Sequence, residues 1–549
     1  MGEAVLDTWQ ADIIIIGGGL GGTSAALAAA KAGMKVIMTE ETDWIGGQLT
    51  AQAVPPDEHR WIEKFGCTAS FREFRDRVRQ YYLDNYPLTE EARSNPLLNP
   101  GNGWVSRLAH EPKVALQVLE DMLAPYVNSR RITILYHTVP VDVQVHGDKI
   151  VSVTVGRQHQ GSPQPQHSGN KYGEGALREP LIRLQGDYYL DATECGDLLP
   201  LAGAEYVSGA ESAEETGEPH ALPVRDPLDM QSITHVAAVD YVEGGDFRIP
   251  KPGAYEEWMD YIPAFSRFPI LSWYASDAAD TTKLKQFTMF PNDQGIVSLW
   301  DYRRIVDPSI WAVPLNEGEV TLLNWAQNDY YRGPVIGVSP EEAAYHRERA
   351  RELTLCLIYW LQHDAPRLDG GTGYPGVRLR GDVLGTRDGL AKTAYIRESR
   401  RIRALYTVTE HDVSKELRGS LGIRRYTDSV GVGSYHLDLH PTTGSQRTFY
   451  IPNYPYEIPL GSLIPVRLIN LLPACKNIGM TQIANGCYRL HPTEWNIGES
   501  AGFLAAYAVE QAVSPREIHA STEHLSRYQE LLMAHGVQLH WPEEEMGEL

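Results

Sequence analysis

The sequence predicts an α/β fold in which a parallel-sheet domain is assembled from separate stretches of chain around an inserted, β-rich α+β domain. Three observations predict it. Ala11 to Glu40 reads as strand, glycine turn, helix and strand. Gly186 to Gly203 reads as a strand that returns to the same sheet. A last strand and a long helix follow residue 460, whereas Ser208 to Thr448 shows none of that alternation.

The first stretch is the most informative. Ile13-Ile14-Ile15-Ile16 is an unbroken β-branched run, the pattern of a strand buried on both faces. It stops at Gly17-Gly18-Gly19-Leu20-Gly21-Gly22, which contains G-x-G-x-x-G at Gly17, Gly19 and Gly22. An alanine-rich helix is expected over Thr23 to Ala32, closed by Gly33, and a second strand over Lys35 to Thr39. Each glycine has a job. Gly17 allows the tight turn, Gly19 lets a pyrophosphate approach the backbone, and Gly22 lets the helix sit against the sheet. The helix N-terminus offers free N–H groups and positive dipole to phosphates. Glu40, at the tip of the second strand, can accept hydrogen bonds from a ribose diol, and its charge disfavours the 2′-phosphate of NADP. A Rossmann-like dinucleotide-binding domain follows from these elements in this order.

Asp43-Trp44-Ile45-Gly46-Gly47-Gln48 comes directly after. This arrangement resembles the FAD-binding half of the glutathione-reductase-type flavoproteins, and the resemblance implies FAD rather than NAD as resident cofactor. Asp191-Ala-Thr-Glu-Cys-Gly-Asp197, after a strand at Tyr188 to Leu190, resembles the segment that returns the chain to FAD in that superfamily. Glu194 stands where glycine is usual, so its side chain is expected to crowd the adenosine part or hydrogen-bond to it. Ile469 to Pro473 reads as a strand, and His491 to Gly502 opens a helix running to Val513. By the same resemblance that helix points its N-terminus at the flavin's pyrimidine ring. The cofactor-binding residues read this way are Gly17, Gly19, Leu20, Gly21, Gly22, Glu40, Glu41, Gly46, Gly47, Gln48, Val139, Thr193, Asn496 and Ile497. His491 and Glu494 are candidates for the flavin or substrate edge.

Domain boundaries follow. Residues 1–50, 104–207 and 460–515 form a discontinuous FAD-binding domain. Residues 51–103 are an insertion covering the cofactor, 208–459 a substrate-binding domain, and 516–549 a C-terminal tail.

Composition excludes several classes. The chain has 549 residues, too many for one core, and a normal hydrophobic fraction of 42%. Its net charge of −22 argues against nucleic acid and against anionic membranes. No apolar run is long enough for a transmembrane helix, and the first ten residues lack the pattern of a secretory signal. Five scattered cysteines with no C-x-x-C point to reduced thiols and a cytoplasmic location, and against a disulfide reductase.

Helices are expected over Ser70 to Tyr82, Lys113 to Val127 and Glu341 to Gln362, the last with Ala344, Arg347, Arg351, Leu355 and Ile358 on one face. Arg131 to Tyr136, Pro140 to Val145 and Lys149 to Val155 read as strands. Gln158 to Gly175 reads as a hairpin tip, with His159 and His167 solvated. Trp258, Phe265, Phe268, Trp273, Phe287, Phe290, Trp300, Trp311 and Trp325 are read chiefly as the core of the inserted domain, some as walls of a substrate pocket.

Two clusters there carry chemistry. Tyr395 to Ile402, YIRESRRI, reads as a helix with Arg397 and Arg401 on one side, either a solvated basic face or a clamp near the flavin. Gly433 to His440, GSYHLDLH, reads as a strand with His436, Asp438 and His440 on one face. Those three suit acid–base work beside the flavin better than a metal, since a flavoenzyme already has its redox centre.

The glycine-rich start, Gly46-Gly47-Gln48, DATECGD, YIRESRRI and SYHLDLH together resemble a family of bacterial FAD-dependent oxidoreductases. That resemblance implies an oxidase or dehydrogenase taking hydride from a CH–OH or CH–NH group of a small molecule to flavin N5. His440, His436, Asp438 and His491 are then the catalytic candidates. A flavin monooxygenase, or a reductase acting on an alkene, is the alternative, and a non-catalytic flavin protein the third. No metal is expected. The partners expected are a small-molecule substrate and possibly a second copy of the chain.

Overall fold

The computed structural model describes residues 7–158, 177–277, 280–313 and 318–546. The hairpin tip expected between Gln158 and Gly175, with His159 and His167, lies outside them apart from its first residue.

Strand β1 (Ile13–Ile16) sits in the middle of a five-stranded parallel sheet, which explains its unbroken isoleucines: all four are fully buried. β2 (Val36–Thr39) and then β3 (Ile132–Leu135) lie on one side. β4 (Tyr188–Asp191) and then β5 (Leu471–Pro473) lie on the other. The sheet is thus drawn from pieces of chain far apart in sequence. Between β1 and β2 runs helix α1 (Leu20–Lys31). It starts three residues earlier than the sequence suggests, taking Leu20, Gly21 and Gly22 into its first turn. The long helix α2 (His491–Gln511) packs across α1 at very short range. A Cβ on Gly498 would overlap the Gly21 carbonyl, and one on Gly502 would overlap that of Ala25. Ser24 Oγ ties the pair by donating to the Trp495 carbonyl at 2.9 Å. A second, mixed sheet carries Asp7–Gln10, Thr138–His146, Lys149–Gln158 and Leu177–Gln185.

The middle of the chain is β-rich with one long helix, Pro340–His363, and has its own aromatic core. Trp258, Trp273, Trp300 and Trp325 are buried in it. Trp311 is buried too, but packs in the core of the parallel-sheet region. The buried face of the long helix runs through Ala343, His346, Ala350, Leu353, Leu357 and Leu361; of the five residues expected to share a face, Ile358 alone is buried. Ala344, Arg347, Arg351 and Leu355 are only half-buried because the arginines turn that face toward water and toward acids such as Asp388.

The stretch 395–402 is not a helix. Two short strands, Tyr395–Ile396 and Arg401–Ile402, flank an extended segment. An extended backbone sends its three arginines to different partners instead of one solvated face. Arg397 meets Asp329, Arg400 meets Asp197, and Arg401 meets Glu211 and Glu398. Arg397 and Arg401 are buried, so the solvated reading is excluded for both.

The segment 54–57 is held against the start of α2: His491 Nδ1 accepts from the Asp57 amide at 3.1 Å and Nε2 donates to the Val54 carbonyl at 3.1 Å. Farther on, Trp541 near the C-terminus packs edge-on against His59 and tilted against Trp61. Among the described residues no helix is long and apolar enough to cross a membrane, and no cysteine is in a disulfide.

Candidate functional site

The glycines after β1 divide their work in the way the motif requires. Gly17 has φ +102°, and a Cβ on it would overlap the Ala192 carbonyl. A Cβ on Gly22 would overlap the Gly17 carbonyl, so helix and turn touch there. Gly21 is pressed the same way against Ala474 at the end of β5. Gly19 differs: the nearest backbone atom to its missing Cβ, the Ala192 oxygen, is 3.8 Å away. A side chain there would meet the Glu194 carboxylate rather than backbone. α1 has no side-chain cap and no acid in its first turn, so its leading N–H groups and positive dipole end remain available to a phosphate.

Gly46 and Gly47, with φ +100° and +50°, close this cradle from the other side. The Gly46 amide donates to the Gly18 carbonyl at 2.8 Å, and a Gly47 Cβ would lie 3.1 Å from the Leu20 nitrogen. Glu40 is buried at the tip of β2. Its Oε1 accepts from the amide and hydroxyl of Thr42 at 2.8 and 2.7 Å. Its Oε2 lies over Gly18, 2.9 Å from where a Cβ would stand. Burial, with Glu41 adding, pushes the Glu40 carboxyl up to about 8. Hydroxyl donors from a ribose would favour its ionised form. Val139 stands beside it, one residue after the Thr138 amide that donates to the Glu40 carbonyl at 2.8 Å.

Thr193 is occupied as a turn cap, its amide and hydroxyl donating to Asp191 Oδ1 at 3.0 and 2.8 Å. Glu194 lies against the glycine loop, its Oε1 2.7 Å from the missing Cβ of Gly19 and 2.9 Å from that of Gly47. It is held by Lys476, a fully buried ammonium that also lies 3.7 Å from Glu494. Burial pushes the Glu494 carboxyl up against the opposing pull of Lys476. Gln48 Nε2 donates to Glu494 Oε2 at 2.9 Å. Gln48 Oε1, Gln52 Oε1 and Glu494 Oε1 are buried without any hydrogen-bond partner. Such orphaned atoms carry a cost unless a ligand answers them.

Other expected residues have structural partners. Burial pushes the His491 imidazole down to about 4, and both its nitrogens serve residues 54–57. Asn496 accepts from the Val432 amide at 3.2 Å and donates to the Val430 carbonyl and Ser500. Ile497 is fully buried beside it.

The second cluster lies on the strand Leu437–Leu439. Leu437 and Leu439 point into the core, leaving His436, Asp438 and His440 to the other face as expected. His440 Nδ1 lies 2.7 Å from Asp329 Oδ2, and its Nε2 lies 3.3 Å from Asp438 Oδ2. Arg397 pairs with Asp329 at 2.9 Å, and Arg489 with Asp438 at 3.1 Å. Arg489 also donates to Tyr395 at 2.8 Å. Burial alone would raise both carboxyls. Arg397 and His440 hold Asp329, and His440 and Arg489 hold Asp438, well below the usual range, so both stay ionised. His436 instead stacks on Tyr450, ring centroids 4.3 Å apart, and burial lowers its affinity for a proton. The His440 side chain keeps 28% exposure and that of Asp438 21%, so this array opens to accessible space while its supports are buried.

Asp329, Arg489 and Lys476 were missed in the sequence. Asp329 has no spacing relation to the histidines. A signal did exist for Arg489, which is the one charge in the otherwise uncharged stretch 480–490.

The glycine cradle, the uncapped helix, the buried acid with an oxygen to spare and the orphaned oxygens fit a dinucleotide. A family model described as FAD dependent oxidoreductase matches residues 12–165 and 175–532. The chain belongs to this family. FAD is its cofactor, and it is an FAD-dependent oxidoreductase. No curated protein matches the chain. Among solved structures, L-proline dehydrogenase from P. horikoshii is similar at 16% identity and TM-score 0.18, over 38% of this chain and 25% of that one. A geranylgeranyl bacteriochlorophyll reductase-like protein from Thermoplasma acidophilum is similar at 11% identity and TM-score 0.30, over 97% and 85%. Anhydrotetracycline hydroxylase OxyS from Streptomyces rimosus is similar at 11% identity and TM-score 0.31, over 95% and 65%. The matched region thus spans a quarter of the dehydrogenase and just under two thirds of the hydroxylase.

Proposed function

We propose that this FAD-dependent oxidoreductase oxidises a CH–OH or CH–NH group of a small molecule, with His440 as the base that takes the substrate's proton. The observation that carries the reading is the position of His440 between two ionised carboxylates on an accessible face. Bound FAD supplies the two-electron, hydride-accepting chemistry. Asp329 fixes the ring through Nδ1, so Nε2 is the nitrogen presented to a substrate. The 3.3 Å contact of Nε2 with Asp438 is loose enough for a substrate hydroxyl or amine to enter. Once His440 carries the proton, Asp329 and Asp438 each stabilise the charge. Arg397 and Arg489 keep both carboxylates ionised, and two neighbouring guanidinium groups make the same face a poor seat for a divalent cation.

In this reading Gly17, Gly19, Leu20, Gly21, Gly22, Gly46 and Gly47 hold the pyrophosphate and Glu40 the ribose. Glu41 and Val139 flank the adenosine, and Gln48 with the start of α2 faces the flavin. The glutathione-reductase-type superfamily and the domain boundaries given above belong to the same proposal. The test is anaerobic reduction of the purified flavoprotein by alcohols and amines. Bleaching of the flavin by a member of either class supports the reading. Reduction by NAD(P)H alone would point to the monooxygenase alternative.

A further inference from the structure

The face that presents His440 also carries tyrosines. Asp438 pairs across the strands with Tyr450, and His436 lies flat on the Tyr450 ring. Tyr435 stands edge-on to His436, centroids 5.9 Å apart. Tyr302 adjoins Arg303, whose guanidinium binds Asp57 through two bonds of 3.1 and 3.3 Å. Tyr435 and Tyr450 thus both contact His436, one at its edge and one at its face, beside Asp438. Neither the Tyr435 nor the Tyr450 hydroxyl makes a hydrogen bond among the described residues. Burial, with these carboxylates, pushes both hydroxyls well up, so they remain neutral donors.

Each carboxylate of this face is matched by a guanidinium. Asp57 is matched by Arg303, Asp438 by Arg489, and Asp329 by Arg397. Lys415, the further cation that His436 feels, lies over the Tyr454 ring instead. A cationic amine would need an unmatched carboxylate to offset its lost hydration, and a carboxylic acid an unmatched cation. Neither is present. What is offered is aromatic surface, uncharged hydroxyl donors and carboxylate oxygens already fixed in place. Vicinal alcohols donate and accept at adjacent atoms, and the C–H face of a saturated ring packs on a flat phenol.

We propose that the face formed by Tyr435, Tyr450, Asp438 and His440 binds a neutral polyhydroxylated ring, a sugar or cyclitol, as substrate. This rests on the reading of His440 as base, and it selects the CH–OH branch of that reading. Binding is measured on the FAD-loaded protein as a dose-dependent rise in melting temperature and a perturbed flavin spectrum. The probes are D-glucose, D-galactose, D-xylose and myo-inositol against benzylamine, putrescine, lactate and glucuronate. At least one neutral probe is expected to saturate. Tyr450→Ala should weaken its apparent Kd tenfold or more, and Tyr450→Phe by less, since the ring remains. Saturation by an amine or an acid with no response to any neutral probe overturns the inference. So does silence from all eight, or a neutral probe whose binding ignores Tyr450→Ala. A neutral probe that binds through Tyr450 yet leaves the flavin oxidised upholds the face as a binding site for such rings and counts against His440 as the base of an oxidation. An amine that bleaches the flavin while no neutral probe binds does the reverse.

Discussion

His440 and Asp329 stand 111 residues apart in sequence, yet Nδ1 of one lies 2.7 Å from a carboxylate oxygen of the other. Asp329 is in turn held by the Thr234 hydroxyl at 2.5 Å and by Arg397 at 2.9 Å. The imidazole is therefore oriented by buried groups while its other nitrogen faces accessible space.

That orientation makes a prediction about rate. His440→Asn should slow anaerobic reduction of the flavin by its substrate by about 10²-fold or more, the usual scale of acid–base catalysis. FAD content should be unchanged, because His440 touches no part of the glycine cradle. His436→Asn should cost much less, since His436 is stacked on Tyr450 and contacts no carboxylate directly. Stopped-flow absorbance checks both. Equal rates for His440→Asn and the wild type would move the base elsewhere.

A second prediction separates cofactor binding from folding within one motif. Gly19→Val brings its branches against the Glu194 side chain rather than against backbone, whose nearest atom is 3.8 Å from Cβ. The variant should fold but lose FAD. Gly22→Val drives Cβ into the Gly17 carbonyl, backbone against backbone, and should fail to fold stably. Circular dichroism and flavin absorbance per chain distinguish the two. Full flavin content in folded Gly19→Val would make this turn structural only.

Much of this was legible in the sequence because it is local. A β-branched run, ordered glycines and a terminal acid fall within thirty residues of sequence, and β1, β2 and Glu40 stand where those patterns put them, with α1 starting three residues early. The alternation in YHLDLH likewise announced which side chains share a face. Long-range ion pairs left no such trace. Arg397, Arg400 and Arg401 look like a solvated run until each is seen to meet an acid, as Arg401 does with Glu211, 190 residues away. Periodicity misled there because an extended segment and a helix turn are equally compatible with so short a charged run. Lys476 was invisible for the same reason: its partner Glu194 lies 282 residues away.

Glu40 yields the last prediction, about pH. In the folded apoprotein burial raises its carboxyl from 4.5 to about 8. A group with a raised folded value favours folding most when protonated. Its contribution is complete below about pH 4.5 and is lost as pH rises toward about 8. Wild-type apoprotein should therefore lose melting temperature across that window more steeply than Glu40→Gln, which carries no charge to bury. The difference should shrink when FAD is saturating, because ribose hydroxyls can donate to the ionised carboxylate through the oxygen that lies over Gly18. At the same time Glu40→Gln should bind FAD more weakly at pH 8, where the wild-type acceptor is charged, with a smaller deficit at pH 6. Melting curves from pH 4.5 to 8.5, with and without FAD, check both halves. Parallel pH slopes for the two apoproteins would mean that Glu40 is ionised at no cost, and the ribose contact would then have to be sought at Glu41.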